Sequence, residues 1–424
     1  MGPKVYSVSD HDIDPNLVDP DALNIVHTLR KAGFIAYIVG GSVRDLLVKK
    51  TPKDFDISTS ALPEEIKDIF NRRCILIGRR FRLAHIRYGH KIFEVSTFRT
   101  GENEGSDLIL QDNTWGTPEQ DVLRRDFTVN GLFYDPETHS IIDYVGGWED
   151  IHKKLLRTIG NPEIRFKQDP VRMIRLLKFR ARFGFSIDQA AKKALIHHRS
   201  EILKSSPARI LEEILRMLES GAAGPFFNLL SESGILELLY PALAEFLKTT
   251  DGNVIPYYLA GADKINQGLG KNPLERPVLA ACLLFPIVQQ EIKSQFLDRQ
   301  KVPHLGEIIM ATTSAIKKFE FGALPRFPRR ISAIMIGLIS NQYRLTPLTS
   351  KRQHHPRILR QRDFAEALKF LKIRALVDKN LIETYTNWNK LYKDHTRKHH
   401  KHHHHHPAPN HSQNENQSSV EHVS

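Results

Sequence analysis

The sequence predicts an α+β fold class, with a small mixed or antiparallel sheet in the first third and an all-helical remainder. Three observations point there. Between Pro20 and about Val145, short apolar runs of strand length alternate with short segments of helical period. After Gly146-Gly147-Trp148 the strand signal stops, and Pro170–Arg182, Pro207–Leu218 and Phe364–Leu371 repeat apolar residues at helical spacing. Breaks at Gly160-Asn161-Pro162, Pro241, Pro256, Gly268–Pro273 and Pro325–Pro328 are irregularly spaced, which argues for several helical subdomains over a repeat array.

Taken in order, Asp21 predicts a capped helix through Arg30 that stops at Lys31-Ala32-Gly33, with glycine in the stop position. Phe34–Val39 reads as a buried strand and Asp54–Ser58 as a second. Ser60-Ala61-Leu62-Pro63-Glu64-Glu65 predicts a helix start with proline in the first turn. Cys74–Ile77, Leu83–Tyr88 and Ile92–Thr97 are further strands, and Tyr88-Gly89-His90-Lys91 a hairpin turn. Past Asp394, a histidine run and a polar tail with Pro407 and Pro409 cannot bury enough apolar surface to order. The expected divisions are a flexible 1–19, a sheet-bearing unit at 20–147, a helical segment at 148–220, a helical and basic region at 221–394, and a disordered tail at 395–424.

Composition narrows the function classes. At 424 residues, two to four packed units are expected. Lys and Arg outnumber Asp and Glu by 61 to 48, a net +13, which favours a polyanionic partner such as nucleic acid. The cysteines are Cys74 and Cys282, and the second sits in the apolar run Val278–Leu284, so a disulfide framework is not expected. The first residues hold no apolar core of a secretory signal, and no run approaches the ~18–20 apolar residues of a membrane helix. A cytoplasmic protein with no membrane partner is the expectation.

The chemistry begins at Tyr37-Ile38-Val39-Gly40-Gly41-Ser42-Val43-Arg44-Asp45 and Lys53-Asp54-Phe55-Asp56-Ile57. A glycine pair that opens a helix offers backbone N–H groups to phosphate. Asp54 and Asp56, two apart on a strand, emerge on one face. Paired carboxylates repel unless a cation lies between them, although a bare Asp-x-Asp also fits a solvated strand end. Glu94, within Ile92-Phe93-Glu94-Val95-Ser96-Thr97, is the candidate third carboxylate, or else an exposed edge-strand acid. In Leu123-Arg124-Arg125-Asp126-Phe127-Thr128-Val129-Asn130, the arginines suit a triphosphate and Asn130 a ribose hydroxyl; a capped, charged helix start is the plainer alternative. Asp169 and Arg172, an acceptor and a donor one turn apart around Pro170, suit either a base edge or a cap with its salt bridge.

This ordered set resembles class II nucleotidyltransferases, the group of bacterial poly(A) polymerases and tRNA CCA-adding enzymes. Gly40-Gly41-x-x-Arg44-Asp45, Asp54-x-Asp56, Arg124-Arg125-Asp126-Phe127-Thr128-x-Asn130 and Asp169-x-x-Arg172 occur in the order seen there. The resemblance implies a polymerase-β-like nucleotidyltransferase head at 20–147, then a base-recognising neck at 148–220 and body and leg-like regions. It further implies that Asp54 and Asp56 bind Mg2+ with Glu94 as third catalytic carboxylate. Gly40, Gly41 and Arg44 would hold the triphosphate, and Arg125, Asp126 and Asn130 would orient sugar and phosphates. Asp169 and Arg172 would contact the base, braced by Arg209 and Glu213 unless these two form a mere surface ion pair. Gln168 stands where the family usually has glutamate, and Gln111-Asp112-Asn113 also departs from its pattern.

Two stretches resemble the poly(A) polymerase branch: Ile77–Ile86, with its Gly78-Arg79-Arg80-Phe81-Arg82 core, and the C-terminal elements at Pro325-Arg326-Phe327 and Arg362–Arg374. The resemblance implies addition of AMP from ATP to the 3′ ends of mRNA and other transcripts, with CCA addition to tRNA as the alternative. RNA-decay machinery is the implied protein partner. Arg326, Arg329, Arg330, Arg357, Arg360 and Arg362 are the expected RNA contacts of the basic region, near Lys351-Arg352. The His399–His406 stretch can chelate Ni2+, Cu2+ or Zn2+ and carries no catalytic assignment.

Overall fold

The computed structural model describes residues 2–78, 83–100, 114–270, 272–348 and 355–403. Arg79–Arg82, Gln111-Asp112-Asn113, Lys351-Arg352 and 404–424 lie outside them.

Eight strands form one mixed sheet: β1 (Lys4–Tyr6), β2 (Ala36–Val39), β3 (Asp56–Thr59), β4 (Cys74–Ile77), β5 (Leu83–Tyr88), β6 (Lys91–Thr97), β7 (Leu132–Asp135) and β8 (Ser140–Asp143). Their order is β1-β8-β7-β2-β3-β6-β5-β4. β3 and β6 run parallel, with Ile57 beside Val95, and the other neighbours run antiparallel. Helices α1 (Pro20–Lys31), α2 (Gly41–Leu47), α3 (Pro63–Phe70) and α4 (Pro118–Leu123) complete the head.

The period-two alternation gives the sheet two different faces. Ile38, Ile57, Ala84, Ile86 and Val95 share one core with Ile25 and Leu29 of α1 and Ile66 of α3. The opposite face carries a small apolar cluster of Val39, Phe98 and Phe133 with Tyr37 against it. Beside that cluster the same face turns polar: Ser58 and Ser96 hydroxyls meet at 3.1 Å, so Asp56 and Glu94 flank them on adjacent strands.

The α+β prediction holds, with differences at element edges. The α1 cap is Asp19, whose carboxylate accepts the Asp21 N–H at 2.9 Å. Pro20 at the first helical position moves the start ahead of the predicted Asp21. β3 begins at Asp56, so Asp54 sits in the loop before it. The expected flexible N-terminus instead adds the edge strand β1 to β8. Tyr6 stacks on Trp148 with ring centroids 4.3 Å apart, and Lys4 pairs with Glu149 at 2.9 Å.

The helical part starts with α5 (Gly147–His152), held by Asp143, which accepts the N–H groups of Val145, Gly146, Gly147 and Trp148 at 2.9–3.1 Å. Gly147 is required there, because a Cβ would stand 2.1 Å from the Thr128 carbonyl oxygen. Next come α6 (Pro162–Gln168), α7 (Val171–Phe183), α8 (Gln189–His198) and α9 (Pro207–Leu218). Longer helices follow at Ile255–Leu269, Arg276–Gln295, Leu305–Glu320, Arg329–Leu345, Phe364–Val377 and Ile382–His403. The last one carries regular structure through 395–403, where the composition predicted none. Cys282 is buried in the helical core, as its apolar run implied. No described helix is long and apolar enough to cross a membrane.

Candidate active site

A cavity of about 530 Å³ opens over the polar face of the sheet, between the head and α7. It gathers Gly40, Gly41, Arg44, Asp54, Asp56, Glu94, Arg125, Asp126, Asn130, Asp169 and Arg172 from positions up to 132 residues apart.

The carboxylate wall comes from β3, the loop before it and β6. Asp56 meets the cavity's solvent yet lies deep among protein atoms. That enclosure, with Glu94 and then Asp54 nearby, pushes its carboxyl up to about 6 against a partial offset from Arg125. Glu94 lies across from His85 of β5, whose Nε2 is 3.5 Å from Glu94 Oε1. Three carboxylates lining one cavity are a chemically fitting donor set for a hard divalent cation.

The glycine turn fits by conformation and by space. Gly40 has φ +69°, and a Cβ on it would lie 3.1 Å from Arg125 Nη1. Arg125 lies over the polar face: its Nη2 donates to Ser58 Oγ at 3.2 Å and to buried Asp121 Oδ2 at 2.8 Å. Asp121 also accepts from Arg124 Nε at 2.8 Å, so one buried carboxylate orients both arginines.

Arg44, Asp126 and Asn130 line the cavity and are also bonded to one another and to neighbouring side chains. Arg44 is buried; its Nε and Nη2 donate to Asp45 Oδ1 at 3.0 and 2.6 Å, and its Nη1 donates to Asn130 Oδ1. Its guanidinium lies 4.9 Å from the Phe179 ring centroid and 4.5 Å from that of Phe183, which fastens α2 to α7. Burial lowers its pKa in spite of Asp45. Asn130 Nδ2 donates to Asp126 Oδ1 at 3.0 Å, and Arg175 Nη2 lies 2.7 Å from Asp126 Oδ2. Burial alone would raise the Asp126 carboxyl; Arg175, Asn130 and Arg172 outweigh it and hold the group below its ordinary value. Buried charges must pair, and these three groups spend their bonding capacity on protein partners. They line the cavity wall with side chains already held by protein partners.

Also lining the cavity, Asp169 Oδ1 and Arg172 Nη1 are buried and find no hydrogen-bond partner among the described residues. Their other atoms are engaged: Arg172 Nη2 donates to the Arg124 carbonyl at 2.9 Å, and Arg209 Nη2 donates to Asp169 Oδ2 at 2.8 Å. Arg209 and Glu213 do not form the surface pair that their spacing allows. Arg209 reaches Asp169, while Glu213 is buried against Lys178 and lies 3.7 Å from Arg175. Gln168 is buried and accepts from Arg165 Nη1 at 3.2 Å; burial, then Arg172, lowers Arg165 to about 10.

The motif reading missed Lys53, Arg182 and Arg216 as cavity residues, along with Asp121 as the anchor of Arg124 and Arg125. One signal was available for part of this set. Arg172, Arg175, Phe179 and Arg182 recur at helical spacing and so share one face of α7. The six arginines proposed for RNA are all exposed, and none of them lines this cavity.

Head and cavity together are those of a nucleotidyltransferase. Residues 36–157 match the model of the poly A polymerase head domain. Residues 184–247 match "Probable RNA and SrmB- binding site of polymerase A", and 309–420 the polymerase A arginine-rich C-terminus. The chain is 33% identical to poly(A) polymerase I of Salmonella typhi over 392 residues, 87% of this chain and 81% of that protein. With the Haemophilus influenzae poly(A) polymerase I the identity is 43% over 255 residues, so the match spans 57% of this chain and 56% of that relative. The chain belongs to the poly(A) polymerase family. A solved CCA-adding enzyme of Bacillus stearothermophilus in complex with CTP shares the fold, with TM-score 0.62 at 23% identity, over 89% of this chain and 83% of that one.

Proposed function

We propose that the protein is a template-independent polynucleotide adenylyltransferase that adds AMP from ATP to RNA 3′ ends and releases pyrophosphate. Within the cavity lined by Asp54, Asp56 and Glu94, the unpartnered pair Asp169 Oδ1 and Arg172 Nη1 supports recognition of a nucleotide base. An acceptor and a donor side by side match the edge of adenine and equally of cytosine, each with an amino group beside a ring nitrogen, so the reading of ATP rests on the 33% identity to poly(A) polymerase I over 87% of this chain.

In this reading Asp54, Asp56 and Glu94 hold Mg2+, which when bound lowers the pKa of the attacking hydroxyl and offsets phosphate charge. Gly40 and Gly41 let the triphosphate approach the backbone. Arg125, fixed by Asp121, and Arg182, Arg216 and Lys53 supply positive charge along the cavity. The RNA 3′ oxygen forms a bond to the α-phosphorus as the bond to the bridging oxygen breaks, and the hydroxyl proton leaves to solvent. Asp126 and Asn130 act through Arg175 and Arg44 as positioning residues. Arg326, Arg329, Arg330, Arg357, Arg360 and Arg362 hold the RNA backbone. Arg329 and Arg330 sit in the first turn of their helix, where cations oppose the dipole, so helix stability does not account for them. The setting is cytoplasmic, on mRNA and other transcripts; the RNA-decay machinery enters by family resemblance alone.

Each nucleoside triphosphate is offered singly, with an oligo(A) primer and with tRNA lacking its CCA end. Long A tracts on oligo(A) are expected. Incorporation of CTP that stops after a defined addition to tRNA would replace this reading with CCA addition.

A further inference from the structure

A second group of ligating side chains lies outside the cavity. Glu163, in the first turn of α6, faces His197 and His198 at the end of α8. One carboxylate oxygen and one nitrogen from each imidazole lie within 4.8 Å of one another. We propose that these three residues form a binding site for a transition-metal dication of the Zn2+ class, separate from the Mg2+ carboxylates.

The donor chemistry supports this choice of ion. Two imidazole nitrogens and one carboxylate oxygen suit Zn2+, Co2+ or Ni2+, whereas Mg2+ prefers oxygen donors throughout. His198 is buried and bonds through Nε2 to Glu163, which orients that carboxylate. His197 is exposed, and its ring stacks on His198 with centroids 4.5 Å apart and planes 29° from parallel. Neither ring nitrogen of His197 bonds to a described residue. Exposure of His197 provides an entry path and leaves a fourth position for water. The site would cross-link α6 to α8, and α6 leads directly into Asp169.

The full chain is compared with His197→Ala and Glu163→Gln, all retaining the His399–His406 stretch and all in millimolar Mg2+ to occupy the carboxylate cavity. Co2+ absorption titration reads the number of sites, and melting with and without Zn2+ reads the cross-link. Wild type is expected to bind about one more equivalent than His197→Ala, and to gain a Zn2+-dependent rise in melting temperature that both variants lose. Affinity for the distinct equivalent should fall at least roughly tenfold in each variant. Equal stoichiometry and equal melting shifts in all three proteins would overturn the site and assign the signal to the C-terminal histidines. His197 is exposed, so its truncation leaves the core intact and the comparison does not depend on a misfolded variant.

Discussion

Asp56 shows how a site can be costly to the fold that builds it. Its carboxyl, pushed up to about 6 by enclosure and by Glu94, binds protons in the folded chain that an unfolded Asp with pKa near 3.8 has already released. The folded state therefore holds more protons between about pH 4 and 6, and this residue's contribution to stability declines as pH rises through that window. Asp56→Asn is expected to melt higher than wild type at pH 7.5 in EDTA, with the gap shrinking toward pH 4.5 and again on adding Mg2+. Scanning calorimetry at the two pH values decides it, and a gap that does not depend on pH counts against the repulsion account. The same substitution should lower AMP incorporation by on the order of 10³-fold, since losing several kcal/mol of charge stabilisation costs a factor of ten per 1.36 kcal/mol. Gly40→Ala, forced to keep φ +69° beside Arg125, is expected to lose about 1–2 kcal/mol in a urea melt.

At the scale of elements, α7 contributes one continuous face to the cavity. Its one face presents Arg172, Arg175, Phe179 and Arg182 to the cavity. Arg175 neutralises buried Asp126 and lies near Glu213, so Arg175→Ala strands a carboxylate and should cost about 3–5 kcal/mol by denaturant melt. Arg172→Ala is expected to fold and to lose base selectivity, with kcat/KM for ATP falling about 10–100-fold relative to UTP, because bidentate base contacts discriminate by ~1–3 kcal/mol. Unchanged selectivity would remove Arg172 from base reading. The pattern on α7 was legible in the sequence as a helical stripe of arginines. Their pairing with Asp126 and Glu213 was not, because those acids arrive from other elements.

At the scale of the whole molecule, charge is distributed unevenly between an enclosed cavity and an exposed basic region. Replacing Arg326, Arg329 and Arg330 together with alanine should leave ATP binding in place and reduce the salt slope of RNA affinity by about 2, at ~0.7 per phosphate contact on single strands. Fluorescence anisotropy across a salt series measures this. A slope that does not change would move the RNA path elsewhere.

The chain's local chemistry determined a good deal by itself. Alternating strands before Gly146 and helical periods after it fixed the α+β division, because apolar spacing encodes which face each element buries. The order of Gly40-Gly41, Asp54-x-Asp56, Arg124-Arg125-Asp126 and Asp169-x-x-Arg172 brought the chemistry into view. Only the tertiary structure decided which of those groups meet open space. It tied Arg44, Asp126 and Asn130, at the cavity wall, to Asp45 and Arg175, since enclosed charges are stable only where folding supplies partners. It brought Lys53 and Arg216 from separate elements to one cavity, and it stitched the N-terminal strand to β8. Spacing along a chain records which residues share an element. Which elements share a cavity is set by packing, and Asp56 and Glu94 stand together there because β3 and β6 run parallel.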